Sequence, residues 1–318
     1  MLDTRSLIGR SLYYKFDKVL KLTQIMRQDE NQTELRDLLQ AIRTGTLKKA
    51  THWPLLEKRD YNNLSEEEKK LFNKDALKIC ATNKACKAYN VLKLKEKKVP
   101  VAVVEAVNEP KGSKDVESSK AGGLPKDTLL AEGGKVMLHS NLWTEAGLTN
   151  GSRGTIWRTI YRPGRAPPAI PDVVLCRFPQ FKGKSFIETE DDEGGPIVPI
   201  CPKTVEFFHY GKKASRTIVP LSPCDALTCH KCQGFTCTSH TLMDLGSREF
   251  CVGLFYVALS RVKELNMMAF SPMPNWQRMT SFMQKVEFKE RLAEEQRLEN
   301  LYKETLAEFK KSQSKENE

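Results

Sequence analysis

Between residues 172 and 219 the chain carries short apolar-rich stretches at 172–178, 197–200, 203–209 and 214–219, each closed by glycine, proline or charged residues. Runs this short, with this punctuation, read as strands joined by turns rather than as helices. Upstream, 134–139 and 155–161 have strand character and flank Leu148-Thr-Asn-Gly-Ser-Arg-Gly154, where Asn-Gly marks a turn between strands. The pattern predicts a small antiparallel barrel or ribbon set into a larger domain. That embedding restricts the fold, because the flanking sequence has a different period.

On the N-terminal side, Leu35, Leu38, Leu39 and Ile42 recur at helical spacing and stop near Gly45, predicting a packed helix over 33–43. Residues 7–22 read as a helix leading into a short strand, and 20–28 alternate apolar and polar positions. Residues 53–74 are polar, with a short helix beginning at Ser65-Glu-Glu-Glu. The stretch 76–81 reads as a core strand, and Thr82 and Asn83 stand where they would cap a helix over 84–94. Residues 107–127, rich in Gly, Ser, Pro and Lys, read as an exposed or partly disordered insertion. Past the short strands, 225–272 returns to α/β character. A polar loop-helix comes first, then a strand near 239–243, a helix near 249–261 and a strand over 266–270. Residues 274–311 have a helical period with sparse apolar positions and heavy charge, predicting a long surface helix or weak coiled coil with a disordered tail from Lys311.

Of 318 residues, 51 are Lys or Arg and 40 are Asp or Glu, a formal charge of +11 that favours a polyanionic partner. No window approaches the roughly eighteen uninterrupted apolar residues of a membrane-spanning helix, so no membrane partner is expected. Nine cysteines, an odd number without a secretion signal, point to a reducing compartment. Cys229-x2-Cys232 lies between Cys224 and Cys237, with His230 and His240 nearby. The outer spacings are four residues and no second Cys-x2-Cys pair exists, so no metal site is expected.

Two segments concentrate chemistry. His230-Lys231-Cys232-Gln233-Gly234 joins cations suited to phosphate, an amide that both donates and accepts, and a glycine that admits close backbone approach. A polar loop that merely caps a helix would look the same. Phe255-Tyr-Val-Ala-Leu-Ser-Arg-Val262 is an apolar run ending in Arg261, a residue type that can stabilise charge on a transferring phosphoryl group. A surface arginine after an amphipathic helix is the alternative.

Together these segments resemble two motifs of superfamily 1 DNA helicases, in the RecD-like branch that includes PIF and Helitron-type helicases. Cys232 takes the position of a small residue in the family's His-Lys-Ser/Ala-Gln-Gly stretch. Arg27 and Gln28, in Leu22-Thr-Gln-Ile-Met-Arg-Gln28, resemble the Phe/Met-Arg-Gln motif that opens the second motor domain. Thr82-Asn83, with Lys84, Lys87 and Asn90, is similar to a strand-end Thr-Asn contact with single-stranded DNA, and Arg153 to a backbone contact in the strand-turn-strand before the inserted barrel.

The resemblance implies an α/β RecA-like domain with a parallel sheet at 10–154 and 221–272, an inserted SH3-like β-barrel at 155–220, and a charged helix and tail at 273–318. It implies that Arg27 and Arg261 face the γ-phosphate, that Gln28, Gln233 and Gly234 belong to the cofactor-binding set, and that Gln233 and Gly234 couple nucleotide state to strand grip. Thr82, Asn83, Arg153, His230 and Lys231 would contact single-stranded DNA. The family hydrolyses ATP between two RecA-like domains, steps 5′ to 3′, and works in DNA repair and recombination.

The sequence contains no G-x-x-x-x-G-K-[ST]; Gly133-Gly-Lys and Gly211-Lys-Lys lack its frame, and the acidic cluster at 188–193 is not an apolar strand ending in a metal-binding Asp. The expectation is a truncated or decayed, transposon-derived helicase half, inactive alone, that takes ATP and Mg²⁺ only when a Walker-containing half completes it in trans. The alternatives are a non-enzymatic single-stranded nucleic-acid-binding protein and an interaction module built on 275–318. The expected location is the nucleus, with cytoplasm or mitochondrion as alternatives, because basic clusters such as Lys95-Glu-Lys-Lys98 are weak addresses.

Overall fold

A computed structural model describes residues 4–190, 194–249 and 251–316. The chain divides into two compact units, one formed by residues 66–244 and one by the segments 1–65 and 245–318.

Among its described residues the 66–244 unit has thirteen strands: β1 (Leu77–Cys80), β2 (Ala102–Glu105), β3 (Val107–Glu109), β4 (Asp127–Leu130), β5 (Lys135–Leu138), β6 (Arg153–Ile160), β7 (Val173–Arg177), β8 (Ile197–Ile200), β9 (Lys203–His209), β10 (Lys212–Ile218), β11 (Leu221–Pro223), β12 (Ala226–Thr228) and β13 (Thr241–Asp244). β1 lies between β12 and β13 and pairs with both in parallel, with Ile79 opposite Leu227 and Met243. Central parallel strands are buried on both faces; here Leu77, Ile79 and Cys80 are buried, and Lys78 is half-buried beside Asp244 at 3.6 Å. The helix Asn83–Glu96 follows β1. The Thr82 hydroxyl caps it by accepting from Ala85 N at 3.2 Å, as the sequence predicts.

The remaining strands are antiparallel. One sheet runs β11-β5-β6-β7-β8 and a second β3-β10-β9, while β2 pairs with β4. Val136, Leu138, Ile156, Val174, Cys176, Phe178 and Leu221 belong to one buried cluster. The strands expected at 134–139, 155–161, 172–178, 197–200, 203–209 and 214–219 are present, while β2, β3, β4, β11 and β12 are not expected from the sequence.

The segment 107–127 is not a disordered insertion. β3 and the start of β4 lie within it, and Ser113, Ala121 and Leu124 are fully buried. The cause is Arg216 on β10, whose side chain is completely buried. It donates to Asn108 Oδ1 at 2.8 Å and to the carbonyls of Leu124 at 3.1 Å, Lys114 at 3.1 Å and Val116 at 2.8 Å. A polar, glycine-rich segment lacks the apolar area to order itself; here one guanidinium supplies donors for backbone carbonyls that would otherwise need water.

In the other unit the helix Thr33–Thr44 buries Leu35, Leu38, Leu39 and Ile42 and ends at Gly45, a left-handed C-cap with φ of 71°. A Cβ at Gly45 would stand 2.8 Å from the Phe288 ring. The helix Lys49–Glu57 runs into the start of the polar stretch 53–74, where no helix was expected before Ser65. Trp53 packs edge-on against Trp276 at 5.9 Å, and His52 accepts from Lys48 N while its other ring nitrogen lies 3.0 Å from Asp37.

The strand expected around 20–28 does not form. After the helix Thr4–Tyr13 the chain runs irregularly along the helix Val286–Glu316, with Leu22 98% exposed. It is held by polar contacts: Tyr13 Oη to Glu294 at 2.7 Å, Lys21 to Glu299 at 2.7 Å, and Val19 N to Thr305 Oγ1 at 3.1 Å. Alternation alone does not make a strand when no neighbouring edge accepts its hydrogen bonds. The C-terminal helix also passes Lys311, where a disordered tail was expected, and continues to Glu316.

Candidate functional site

The site residues read from the sequence fall into two clusters, one in each unit. In the first, Arg27, Gln28 and Arg261 meet at Ser260. Arg27 donates to the Ser260 carbonyl at 3.0 Å, and Gln28 Nε2 donates to the same carbonyl at 3.4 Å and to that of Val262 at 2.8 Å. Arg261 turns back over the helix Leu254–Leu259, donating from Nε to the Val257 carbonyl at 2.8 Å and from Nη2 to Ser260 Oγ at 2.6 Å. Gln28 and Arg261 are buried and Arg27 is half-buried. The helix is short, preceded by Gly253 in the left-handed region, and its entry is fixed by Glu249, whose carboxylate accepts from Phe255 N at 2.9 Å.

The second cluster surrounds the turn Cys229–Cys232, a 3-10 helix after β12. Three residues per turn place positions 229 and 232 on one face. Both cysteines are buried, and Cys229 Sγ donates to the Cys80 carbonyl at 3.5 Å. His230 and Lys231 face outward, followed by exposed Gln233 and Gly234. Gly234 has φ of 80° and open space where a Cβ would stand, so its requirement is backbone reversal rather than close approach. The cysteines are thus the packed side of the loop and the other four residues its presented side. Among the described residues no group of three metal-ligating side chains forms.

Lys231, Gln233 and Gly234 line a cleft of about 800 Å³ together with His139, Asn150 and Gly151. His139, at the end of β5, was not singled out from the sequence. Its Nε2 lies 2.6 Å from Ser222 Oγ on β11, and burial, with the Lys231 charge nearby, pushes its pKa down to about 4. The cleft therefore pairs an exposed cation with a neutral imidazole. The pairing of β5 with β11 sets His139 beside Ser222, a long-range contact that local patterning does not encode. Asn83 and Lys231 line a second, smaller cleft of about 240 Å³, where Lys87 lies 3.9 Å from Asp127.

Three residues serve the fold. Asn90, read as part of a strand-contact stretch, is buried; its amide donates to the carbonyls of Pro223 at 3.3 Å and Ala226 at 3.1 Å and accepts from Ala226 N at 2.7 Å. Thr82 spends its hydroxyl on the helix cap. Arg153 interacts with the Cys224 thiol and the Asp225 carboxylate; burial is nonetheless the larger influence on both and raises both pKa values.

No family model matches the sequence, and no curated protein matches it. Solved structures do. Pif1 helicase from Candida albicans superposes with a TM-score of 0.60 at 21% identity, over 86% of this chain and 60% of that one. Unliganded Pif1 from Bacteroides sp gives 0.56 at 21% identity, over 84% of this chain and 56% of that one. Bacteroides Pif1 bound to ssDNA gives 0.58 at 21% identity, over 87% and 60%.

The fold is that of part of a Pif1 helicase structure. The likeness spans most of the present chain and less than two thirds of the chains it resembles. Among the described residues no helix is long and apolar enough to cross a membrane.

Proposed function

We propose that this chain is the second motor half of a superfamily 1 DNA helicase and binds single-stranded DNA in the cleft beside Lys231. The antiparallel strands between 135 and 223 take the part of the SH3-like insert, and 286–316 that of the charged C-terminal helix. The observation that carries the reading is the convergence of Arg27, Gln28 and Arg261 on Ser260. Two stretches more than 230 residues apart, each matching a helicase motif that reaches the γ-phosphate, supply guanidiniums to one point. Lys231 supplies charge for phosphates, and Gln233 and Asn150 supply groups that donate and accept. Bacteroides Pif1 has been captured with ADP-AlF3 and ssDNA, which supports both ligands for this fold.

ATP and Mg²⁺ are bound when a Walker-containing half completes the site in trans, with Arg27 and Arg261 stabilising phosphoryl charge. The test is oligothymidylate binding across a salt series, with ATP hydrolysis measured in parallel. Binding should weaken with salt, Lys231→Ala should reduce the slope of log K against log salt by about 0.7, and turnover by the chain alone should be negligible. Robust turnover abolished by Arg261→Ala would overturn the proposed dependence on a second half.

A second reading, strand binding without catalysis, is favoured by the conformation of Arg261, which is 8% exposed and committed to its own helix. Under it, adding Walker-containing helicase halves produces no ATPase activity.

A further inference from the structure

The β9–β10 hairpin ends in an arrangement that packing does not explain. Its two strands pair from Lys203–Ile218 to His209–Lys212, leaving a two-residue turn, Tyr210-Gly211. Both turn residues have positive φ, 48° and 74°. Turns of this kind favour Asn-Gly or Asp-Gly, because a bulky side chain is strained in the left-handed region. The tyrosine that occupies the strained position is 92% exposed, its ring against His209 at 4.3 Å.

Strand alternation sorts the rest of the hairpin. Phe207 and Ala214 face inward and pack with Ala121, while Arg216 is the buried guanidinium that orders 107–127. The opposite face presents Phe208, 74% exposed, directly across from Lys213; Lys212, exposed beside the tip, lies on the same face as Ala214. Aromatic faces and ammonium groups interleaved at a projecting tip are the two components that single-stranded nucleic acid requires, stacking for bases and charge for phosphates. The base of the hairpin packs on the segment that walls the cleft. Val205 packs so closely on Gly122 that a Cβ there would stand 2.6 Å from its methyl, and the adjoining Ser118 and Gly123 line the cleft wall.

We propose that this hairpin is a base-stacking finger for single-stranded nucleic acid, with Phe208 and Tyr210 as the stacking rings and Lys212 and Lys213 as phosphate contacts. It rests on the strand-binding reading of the cleft for the class of ligand and adds a second contact that the cleft residues do not supply. Stacking uses base faces common to DNA and RNA.

The test titrates the full chain with oligothymidylate carrying 2-aminopurine, whose fluorescence is quenched on stacking; oligouridylate of equal length separates RNA from DNA as the source. Phe208→Ala and Tyr210→Asn should each weaken binding roughly 5- to 150-fold and diminish quenching, with the salt slope unchanged. Lys212→Ala and Lys213→Ala should each lower the slope by about 0.7. Because asparagine tolerates the left-handed position, Tyr210→Asn should raise Tm while weakening binding, a divergence that a structural ring would not give.

Wild-type affinity and quenching in both aromatic variants would overturn the proposal, as would Tyr210→Asn lowering Tm and binding together. Loss of sedimentation with phosphatidylserine vesicles, with oligonucleotide binding intact, would assign the tip to membranes and also overturn it. Lys231→Ala separates the two readings. Binding that depends on Lys231 but not on the rings removes the finger alone; the reverse removes the cleft alone.

Discussion

Arg27 donates to the main-chain carbonyl of Ser260 at 3.0 Å, the residue whose hydroxyl accepts from Arg261. Because the acceptor for Arg27 is backbone, no change of side chain at position 260 removes that contact. The hydroxyl contact depends on serine. The two guanidiniums can therefore be uncoupled by separate substitutions.

Gln28 is the buried member of this cluster. Gln28→Leu keeps its bulk but leaves the Val262 carbonyl without its 2.8 Å donor. The expected cost is about 1–3 kcal/mol, read as a lower urea midpoint with unchanged m. Arg27→Ala, at a half-buried position, should cost about 1 kcal/mol.

Arg216→Met should remove donors from Asn108, Leu124, Lys114 and Val116 at once. A loss of more than about 3 kcal/mol is expected, with new proteolytic cleavage between 107 and 127. Arg216→Lys should rescue little, because an ammonium cannot reproduce the planar fork. Limited proteolysis followed by mass spectrometry reads both variants.

His139 sets a pH dependence. Its pKa falls from 6.5 unfolded to about 4 folded, through burial first and the Lys231 charge second. Below pH 6.5 the unfolded chain binds the proton and the folded one does not, so stability falls as pH falls. This group should contribute a loss of about 1.5 kcal/mol between pH 6.5 and 5. His139→Gln should flatten that part of the profile in denaturant titrations; an unchanged slope would refute the assignment.

Gly45→Ala should destabilise by about 1–3 kcal/mol. The residue needs a left-handed backbone to cap its helix, and the new methyl would meet Phe288 at 2.8 Å. Calorimetry of Gly45→Ala beside Gly45→Asn separates these effects, since asparagine accepts the φ but not the contact.

Locally encoded features were legible. The 33–44 helix with its glycine stop, the Thr82 cap and most antiparallel strands follow from periodicity and turn residues. The motif residues Arg27, Gln28, Lys231, Gln233 and Arg261 were legible as types. What escaped depends on distant partners. Arg216 sits in an unremarkable alternating strand, and nothing near it announces that it orders residues a hundred positions earlier. His139 joins Lys231 through long-range strand pairings, β5 with β11 and β1 with β12. Asn90 looked like a polar helix residue free for a ligand until burial against Ala226 accounted for its amide. The 20–28 stretch failed in the opposite sense, its alternation being genuine but without a sheet edge to join.

The contacts from Tyr13 and Lys21 to Glu294 and Glu299 have a mechanical side. Arg27 lies only six positions beyond Lys21, and an extended chain of that length reaches about 20 Å. The helix Val286–Glu316 is thus a mooring post, and the irregular segment its rope. Any displacement of Arg27 from Ser260 is thus limited to that reach for as long as the contacts to glutamates more than 260 residues downstream hold.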